Sequence, residues 1–102
     1  MGEPQFTLTG KQKRYLRSLG NEMDPIIFVG KNDINENLIK QLEDALVARE
    51  LIKVRVLKTS NMTVDEVAEE LSLDTSSEIV QIIGQNFLLY RMNQKEPRIV
   101  LP

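Results

Sequence analysis

Apolar residues recur at helical spacing in three parts of the chain, and each part begins with a pattern that caps a helix. The first helix is predicted to start after Thr9, with Gln12 in the capping-box position, and to run to about 19–20. The second covers about 34–49, and the third is a short acidic helix that opens with the capping box 63–66. The residues expected on the inner faces of the second and third helices are Leu38, Ile39, Leu42, Ala45, Leu46, Val64, Val67, Ala68 and Leu71.

Four other segments have the pattern of β-strands and alternate with the helices. The continuous apolar run 26–29 predicts a strand buried on both faces. Apolar and basic residues alternate over 51–57, which predicts one core face and one basic face. Segments 78–83 and 87–90 flank the turn 84–86 and predict an antiparallel hairpin. The order α-β-α-β-α-β-β therefore predicts an α/β (α+β mixed) fold, a four-stranded mixed sheet backed by helices, with parallel strands joined by right-handed crossovers before the hairpin.

The composition makes most enzyme classes improbable. The chain has 102 residues, 41% of them hydrophobic, so we expect one domain over 1–102 with an ordered core from about residue 7. The absence of cysteine excludes disulfides, thiolate zinc sites and a cysteine nucleophile. The absence of histidine removes the commonest general base and metal ligand. We therefore expect no enzymatic activity, no metal and no cofactor.

The same sequence shows no sign of membrane insertion or export. No apolar run approaches the roughly 20 residues that span a bilayer. The N-terminus, MGEPQFTL, lacks the basic region followed by an apolar region that marks a signal peptide. We therefore expect a soluble, cytoplasmic protein with no membrane partner.

The net charge of −2 is not the basic profile expected of a nucleic-acid binder, but the charges are unevenly distributed. Residues 1–58 carry 10 basic and 8 acidic side chains, whereas residues 59–102 carry 3 and 7. This asymmetry places any anion-binding surface in the first half of the chain.

The first helix has the strongest local charge, because four of the seven residues 11–17 are basic and none is acidic. These four residues are Lys11, Lys13, Arg14 and Arg17. At about 100° per residue they lie opposite an apolar arc, which consists of Leu8, Tyr15, Leu16 and Leu19. A solvated amphipathic helix would have this arrangement, but such faces usually mix signs, because like charges four residues apart repel. The pattern therefore also indicates an external anion, held by phosphate contacts without sequence specificity.

A short loop, Gly30-Lys31-Asn32-Asp33, joins the first strand to the second helix. Backbone N–H groups at a helix N-terminus suit a phosphate; Gly30 allows close approach, and Lys31 adds a charged donor. Alternatively, the segment is a turn followed by a helix cap, because 33–36 is itself a capping box and Asn35 is a second cap candidate. A four-residue glycine loop does not by itself decide between the two interpretations.

Other polar residues are weaker candidates. Lys53 and Arg55 on the second strand, with Arg91 after the last strand, could widen a basic surface or only keep the protein soluble. Tyr15 and Tyr90 are expected to be core or half-buried. The third helix has no partner base or metal spacing, so we expect a solvated face for its carboxylates, Asp65, Glu66, Glu69 and Glu70.

Taken together, these segments resemble the bacterial YhbY-like proteins, which are stand-alone CRM domains, named for chloroplast RNA splicing and ribosome maturation. The most specific pieces are LTGKQKRYLR, the VGKN loop, ELIKV and the EIVQIIG…LYR hairpin, and the likeness extends in order from Leu8 to Pro102. The resemblance implies a fold similar to the C-terminal domain of bacterial translation initiation factor three. It also implies RNA binding without catalysis and, in bacteria, association with precursors of the large ribosomal subunit during its assembly.

In that family the RNA surface is placed on a GxxG loop and nearby basic residues, and GxxG loops of this kind clamp a nucleic-acid backbone. By motif match, Gly30 takes the first glycine position, Lys31 and Asn32 the variable pair, and Asp33 the second glycine position. The matching basic residues of the first helix are Lys11, Lys13, Arg14 and Arg17. We therefore expect a monomer that binds RNA, specifically rRNA in a large-subunit precursor. The alternative is an adaptor that binds a ribosomal protein or an assembly factor.

Asp33 departs from the family pattern. Aspartate tolerates the positive φ that a glycine position can require, so the fold is not affected. Its carboxylate beside a phosphate is expected to weaken binding at the loop, so the first helix should carry most of the affinity. On this interpretation Asp33→Gly strengthens RNA binding and slightly weakens helix capping.

Overall fold

The computed structural model describes residues 8–102 and has the predicted order of helices and strands. Its elements are α1 (Gly10–Gly20), β1 (Ile27–Val29), α2 (Glu36–Arg49), β2 (Leu51–Val56), α3 (Val64–Thr75), β3 (Glu78–Ile83) and β4 (Asn86–Tyr90). Thr7, the expected start of the ordered core, lies outside the described residues, as do the other residues of the N-terminal segment MGEPQFTL except Leu8. Within the described part of the chain, no helix has the length and hydrophobicity needed to cross a membrane.

The four strands form one mixed sheet in the order β1-β2-β4-β3. β1 and β2 are parallel, whereas β4 is antiparallel to both β2 and β3. β1, β2 and β3 therefore run in the same direction, as the crossover argument predicts, although β4 lies between β2 and β3. The predicted fold class, three helices around a four-stranded mixed sheet, is confirmed.

Helices lie on both faces of the sheet. α2 and α3 cover the inner face, where their apolar residues join Val54 and Phe87 in one buried cluster. α1 covers part of the outer face, where Leu16 belongs to a second buried cluster with Leu88 and Tyr90. Alternate side chains of β2 and β4 enter the two clusters, as expected for strands with core on both sides.

β1 is not buried on both faces, so that prediction was wrong. Ile27 and Val29 are buried on the inner face, but Phe28 between them is 52% exposed. β1 is the edge strand of the sheet, and α1 packs against β2 and β3 instead of covering it. The continuous apolar run 26–29 therefore contains a strand whose outer face is exposed to solvent.

The helix caps agree with the sequence at two of three positions. Thr9 and Thr63 both form the predicted capping boxes at the starts of α1 and α3. The capping box predicted at 33–36 was wrong, because α2 begins after Asn35, whose Oδ1 accepts a hydrogen bond from the Leu38 N–H at 2.8 Å. Asn35, the second candidate, is therefore the cap.

A buried carboxylate that the sequence analysis did not identify fixes the C-terminal segment. Glu50 is fully buried, has a φ of 65°, and follows α2 directly. Its Oε1 accepts hydrogen bonds from the N–H groups of Arg98 and Ile99, both at 2.8 Å, and its Oε2 accepts one from Asn93 N–H at 2.7 Å. Residues 93–99 are therefore attached to the core by hydrogen bonds to the Glu50 side chain and not by the backbone hydrogen bonds of a β-strand.

The attached segment continues onto α1. Ile99 and Leu101 pack against the outer cluster that contains Leu16. Gln12 Nε2 donates a hydrogen bond to the Pro102 carbonyl oxygen at 3.2 Å. The C-terminal residues therefore help to hold α1, the basic helix, in place on the sheet.

Candidate nucleic-acid interface

The four basic residues of α1 are available for an external partner. Lys11 and Arg14 are exposed, whereas Lys13 and Arg17 are half-buried on the flank of the helix, closer to the sheet than predicted. Among residues 8–102, the one ion pair with a nitrogen–oxygen distance within 4.0 Å joins Arg91 and Glu43. None of the four basic residues of α1 therefore has an acidic partner in this part of the chain. Four unneutralised cations on one short helix favour binding of an anion with several charges.

α1 contacts the sheet through only part of the predicted apolar arc, of which Leu8 and Leu16 are buried as predicted. Tyr15 and Leu19, expected on the inner arc, are 39% and 36% exposed. The helix approaches the sheet through Leu16 and Gly20, and a Cβ added at Gly20 would collide with Leu88 Cδ1. This close approach at Gly20 rotates the buried stripe away from Tyr15 and brings the Lys13 side of the helix towards the sheet.

The loop between β1 and α2 is a tight turn. The N–H of Asp33 donates to the carbonyl oxygen of Gly30 at 2.8 Å, which leaves Lys31 and Asn32 exposed at the tip. A Cβ at Gly30 would lie 3.2 Å from Thr59 Oγ1, so a larger residue there would require Thr59, in the loop after β2, to shift slightly. The turn presents one lysine and one amide to solvent, and both can donate to a phosphate.

Asp33 binds the neighbouring loop and does not cap α2. Its Oδ1 accepts hydrogen bonds from Ser60 Oγ at 2.7 Å and from Asn61 N–H at 2.9 Å, and its Oδ2 accepts one from Asn61 Nδ2 at 3.3 Å. The Ser60 hydroxyl, followed by the Asn61 N–H, lowers the pKa of the Asp33 carboxyl from its ordinary value of 3.8. The φ of Asp33 is 52°, so aspartate does tolerate the left-handed conformation at this glycine position.

The loop residues surround a shallow, mainly polar concavity of about 290 Å³. All four residues of the segment 30–33 line it, together with polar side chains from the first two turns of α2. The α1 cations are absent from this lining, so the loop and the basic helix are two separate parts of the candidate interface. Phe28 also lines the loop concavity, and its cross-strand neighbour on the outer face of the sheet is Arg55.

The remaining candidates divide between the two sides of the molecule. Lys53 is half-buried and Arg55 is exposed on the outer face of β2, as predicted. Arg91 does not widen this surface, because it pairs with Glu43 at 2.9 Å and donates to the Thr75 carbonyl oxygen at 2.7 Å. Tyr90 is buried as expected, and burial, followed by the charge of Glu50, raises its pKa.

The acidic residues of α3 are exposed, as predicted, on the side of the sheet opposite α1. Within residues 8–102, no group of three or more acidic side chains has a geometry that could hold a metal ion. The acidic surface is therefore separate from the candidate interface.

Comparisons with known proteins identify the family. A sequence profile of the CRS1/YhbY (CRM) domain matches residues 8–91. The "Probable RNA-binding protein YqeI" of Bacillus subtilis is 47% identical over 95 residues, covering 93% of this chain and 99% of that protein. An "RNA-binding protein" of Haemophilus influenzae is 34% identical over 96 residues, covering 94% and 96%.

A solved structure agrees with both the fold and the sequence match. The solution structure of SAV1595 from Staphylococcus aureus superposes with a TM-score of 0.78 at 53% identity, and the match covers 94% of this chain and all of that one. The resemblance to the YhbY-like proteins is thereby confirmed. The chain belongs to the CRS1/YhbY (CRM) domain family.

Proposed function

We propose that this chain is a non-catalytic RNA-binding protein, and that it acts as a cytoplasmic monomer on rRNA in precursors of the large ribosomal subunit, whose assembly it assists. The observation that carries the proposal is the group of four α1 cations, none of which has an acidic partner among residues 8–102. The relatives named as RNA-binding proteins support RNA as the anion. The role in subunit assembly follows from the likeness to the bacterial YhbY-like proteins.

In this proposal α1 supplies most of the affinity. Exposed Lys11 and Arg14 reach phosphates directly, and the half-buried stems of Lys13 and Arg17 hold their charged ends in fewer conformations. Such contacts neutralise phosphates and release counterions, so they give affinity without reading the base sequence. α1 therefore sets the strength and the salt dependence of binding.

The loop at 30–33 supplies a second contact. Lys31 and Asn32 at its tip donate to the RNA backbone, and Gly30 lets the turn lie against Thr59. Asp33 fixes the shape of the turn through Ser60 and Asn61, and these hydrogen bonds occupy its carboxylate. The loop therefore contributes to RNA affinity by its shape and by Lys31, while the negative charge of Asp33 limits that contribution.

The proposal predicts how two arginines of α1 affect RNA binding. We expect Arg14→Ala with Arg17→Ala to weaken binding to large-subunit rRNA fragments and to reduce the slope of log affinity against log salt by roughly 1.4 to 1.8, because each lost phosphate contact removes about 0.7 to 0.9. Binding would be measured by fluorescence anisotropy at several salt concentrations, with circular dichroism to check the fold.

A matched control removes two basic residues from exposed positions of α2. Lys40→Ala with Arg49→Ala changes the net charge by the same amount, and we expect it to leave the salt slope nearly unchanged. Equal effects of the two double variants would overturn the role of α1. Salt-insensitive or absent binding by the unmodified protein would favour the adaptor alternative, in which α1 faces an acidic protein.

A further inference from the structure

Part of the outer sheet face remains open beside α1. Four residues in register form a row across all four strands, from Phe28 on β1 through Arg55 and Asn86 to Ile83 on β3. Phe28 is 52% exposed and Ile83 is 56% exposed, because α1 packs against the other end of β2 and β3. We call this row the open sheet row, and it carries no carboxylate.

A small concavity adjoins the open sheet row where α1 ends. Its volume is about 160 Å³, and its lining includes Gly20 and Asn21 together with Lys53, Gln81 and Asn86. The Oδ1 atom of Asn86 is buried and has no hydrogen-bond partner among the described residues. Buried polar atoms are normally satisfied, so this amide has an unused acceptor at the edge of a concavity whose lining is otherwise mainly apolar. Lys53 and Gln81 supply further donors and acceptors there.

We propose that the open sheet row binds an unpaired segment of RNA, with one base stacked on Phe28. This inference rests on the RNA binding proposed above and specifies its ligand as single-stranded or bulged rather than fully paired RNA. Arg55, the cross-strand neighbour of Phe28, holds the phosphate or stacks on the next base. Asn86, Gln81 and Lys53 contact the edge of a second base in the concavity.

Two features of the face and one property of duplex RNA favour this ligand. An exposed aromatic ring beside a cation suits a nucleobase, because every base has a π-face and stacking tolerates any sequence. Bases inside a duplex are stacked and paired, so this surface can engage only bases that are splayed out. Phe28 lines the same concavity as the loop 30–33, so an RNA backbone held at the loop would bring a neighbouring base close to the Phe28 ring.

A single introduced tryptophan tests the stacking directly, because the chain contains none. We expect the emission of Phe28→Trp to be quenched on titration with a 12-nucleotide single-stranded RNA and to change little with a 12-base-pair duplex. Leu73→Trp, at a 74% exposed position of α3, is the matched control and should respond to neither. Unchanged Phe28→Trp emission while anisotropy reports bound single-stranded RNA would overturn the proposal.

A second variant measures the affinity. We expect Phe28→Ala to weaken binding of the single-stranded RNA by about fivefold or more, since stacking on an aromatic side chain contributes that much per base. It should leave duplex binding and the melting temperature nearly unchanged, and Leu73→Ala should change neither RNA. Equal single-strand affinities of the Phe28→Ala variant and the unmodified protein would contradict the stacking role.

These outcomes separate the inference from the function on which it rests. If the unmodified protein binds no RNA at all, the proposed function fails. If RNA binds and depends on Arg14 and Arg17 but not on Phe28, only the stacking inference fails. If Phe28→Ala abolishes a dimer in sedimentation analysis and leaves RNA affinity unchanged, the face binds a second copy of the chain, which also overturns the inference.

Discussion

At the scale of single residues, the hydrogen bonds of Asp33 predict a pH dependence of stability. Its pKa is lowered by the Ser60 hydroxyl and the Asn61 N–H, so the ionised form stabilises the folded state above the ordinary value of 3.8. That contribution is lost as the pH falls through the lowered pKa. We expect Asp33→Asn to melt at a lower temperature than the unmodified protein at pH 7, and the difference to shrink in thermal melts towards pH 2.5.

The control for this prediction is Asp44→Asn, because Asp44 is exposed on α2 and its side chain has no hydrogen bond or ion pair among residues 8–102. Its melting temperature should follow that of the unmodified protein across the whole pH series. A constant difference between Asp33→Asn and the unmodified protein at every pH would show that the charge of Asp33 is not the stabilising feature.

The same contacts change the expectation for Asp33→Gly. The sequence predicts a weaker helix cap in this variant, but Asn35 is the cap, so capping of α2 should be unaffected. The variant instead loses the link to Ser60 and Asn61, which should loosen the turn. The positive φ of Asp33 could be predicted from the glycine position, whereas its partners could not, because they lie 27 and 28 residues further along the chain.

At the scale of the helices and strands, the packing of α1 depends on a glycine. A Cβ at Gly20 would collide with the side chain of Leu88, which is buried in the outer cluster, and would lie 3.1 Å from its Cγ. We expect Gly20→Ala to lower the free energy of unfolding by about 1–3 kcal/mol, as overpacking does elsewhere. Urea denaturation measures this loss of stability. RNA affinity should also fall, because the added methyl group displaces α1 from its position on the sheet.

Gly10→Ala is the matched control in the same helix. Its nearest neighbour is Arg14 Nη1 at 3.9 Å, and the position is exposed, so the added methyl meets no obstacle. Alanine favours the helix over glycine, so we expect a small stabilisation of about 0.5 kcal/mol. Stabilisation by both substitutions would contradict the close contact between Gly20 and the sheet.

Gly20 and Phe28 also show why two predictions were wrong, namely which side of α1 is buried and whether β1 is covered on both faces. Hydrophobic spacing placed Tyr15 and Leu19 against the sheet, but glycine carries no hydrophobic signal, and the close approach of Gly20 decided which side is buried. The apolar run around Phe28 could not show that its strand lies at an edge of the sheet, because that position depends on pairing with distant strands. The local sequence pattern did predict that α1 and β1 exist, and it predicted the helix caps at Thr9 and Thr63.

The C-terminal segment depends on one carboxylate. Glu50 accepts three backbone hydrogen bonds in a fully buried position, and its removal would leave those donors without a partner. We expect Glu50→Ala to lower the free energy of unfolding by roughly 2–4 kcal/mol and to speed trypsin cleavage after Lys95, because residues 93–99 lose their attachment. The surface variant Glu43→Gln, which breaks the ion pair with Arg91, should cost less than about 1 kcal/mol. Comparable losses in the two variants would contradict the anchoring role of Glu50.

At the scale of the whole molecule, the sequence predicts the direction of the strands better than their order. The alternation of strands and helices required β1, β2 and β3 to run the same way, and they do. The insertion of β4 between β2 and β3 could not be predicted, because a hairpin strand can pair on either side of its partner. That insertion puts Asn86 between Arg55 and Ile83 and so completes the open sheet row.

The two charged surfaces lie on opposite faces of the sheet, with basic α1 on one side and acidic α3 on the other. Packed layers are about 10 Å apart, so the two helices are separated by on the order of 20 Å. The Debye length is about 30 Å at 0.01 M salt and about 8 Å at 0.15 M, so α3 repels RNA bound at α1 only at low salt. We therefore expect Glu69→Gln with Glu70→Gln to raise RNA affinity at 0.01 M salt and to leave it unchanged at 0.15 M, as measured by anisotropy. An equal gain at both concentrations would mean that RNA reaches α3, and the interface would then extend around the edge of the sheet.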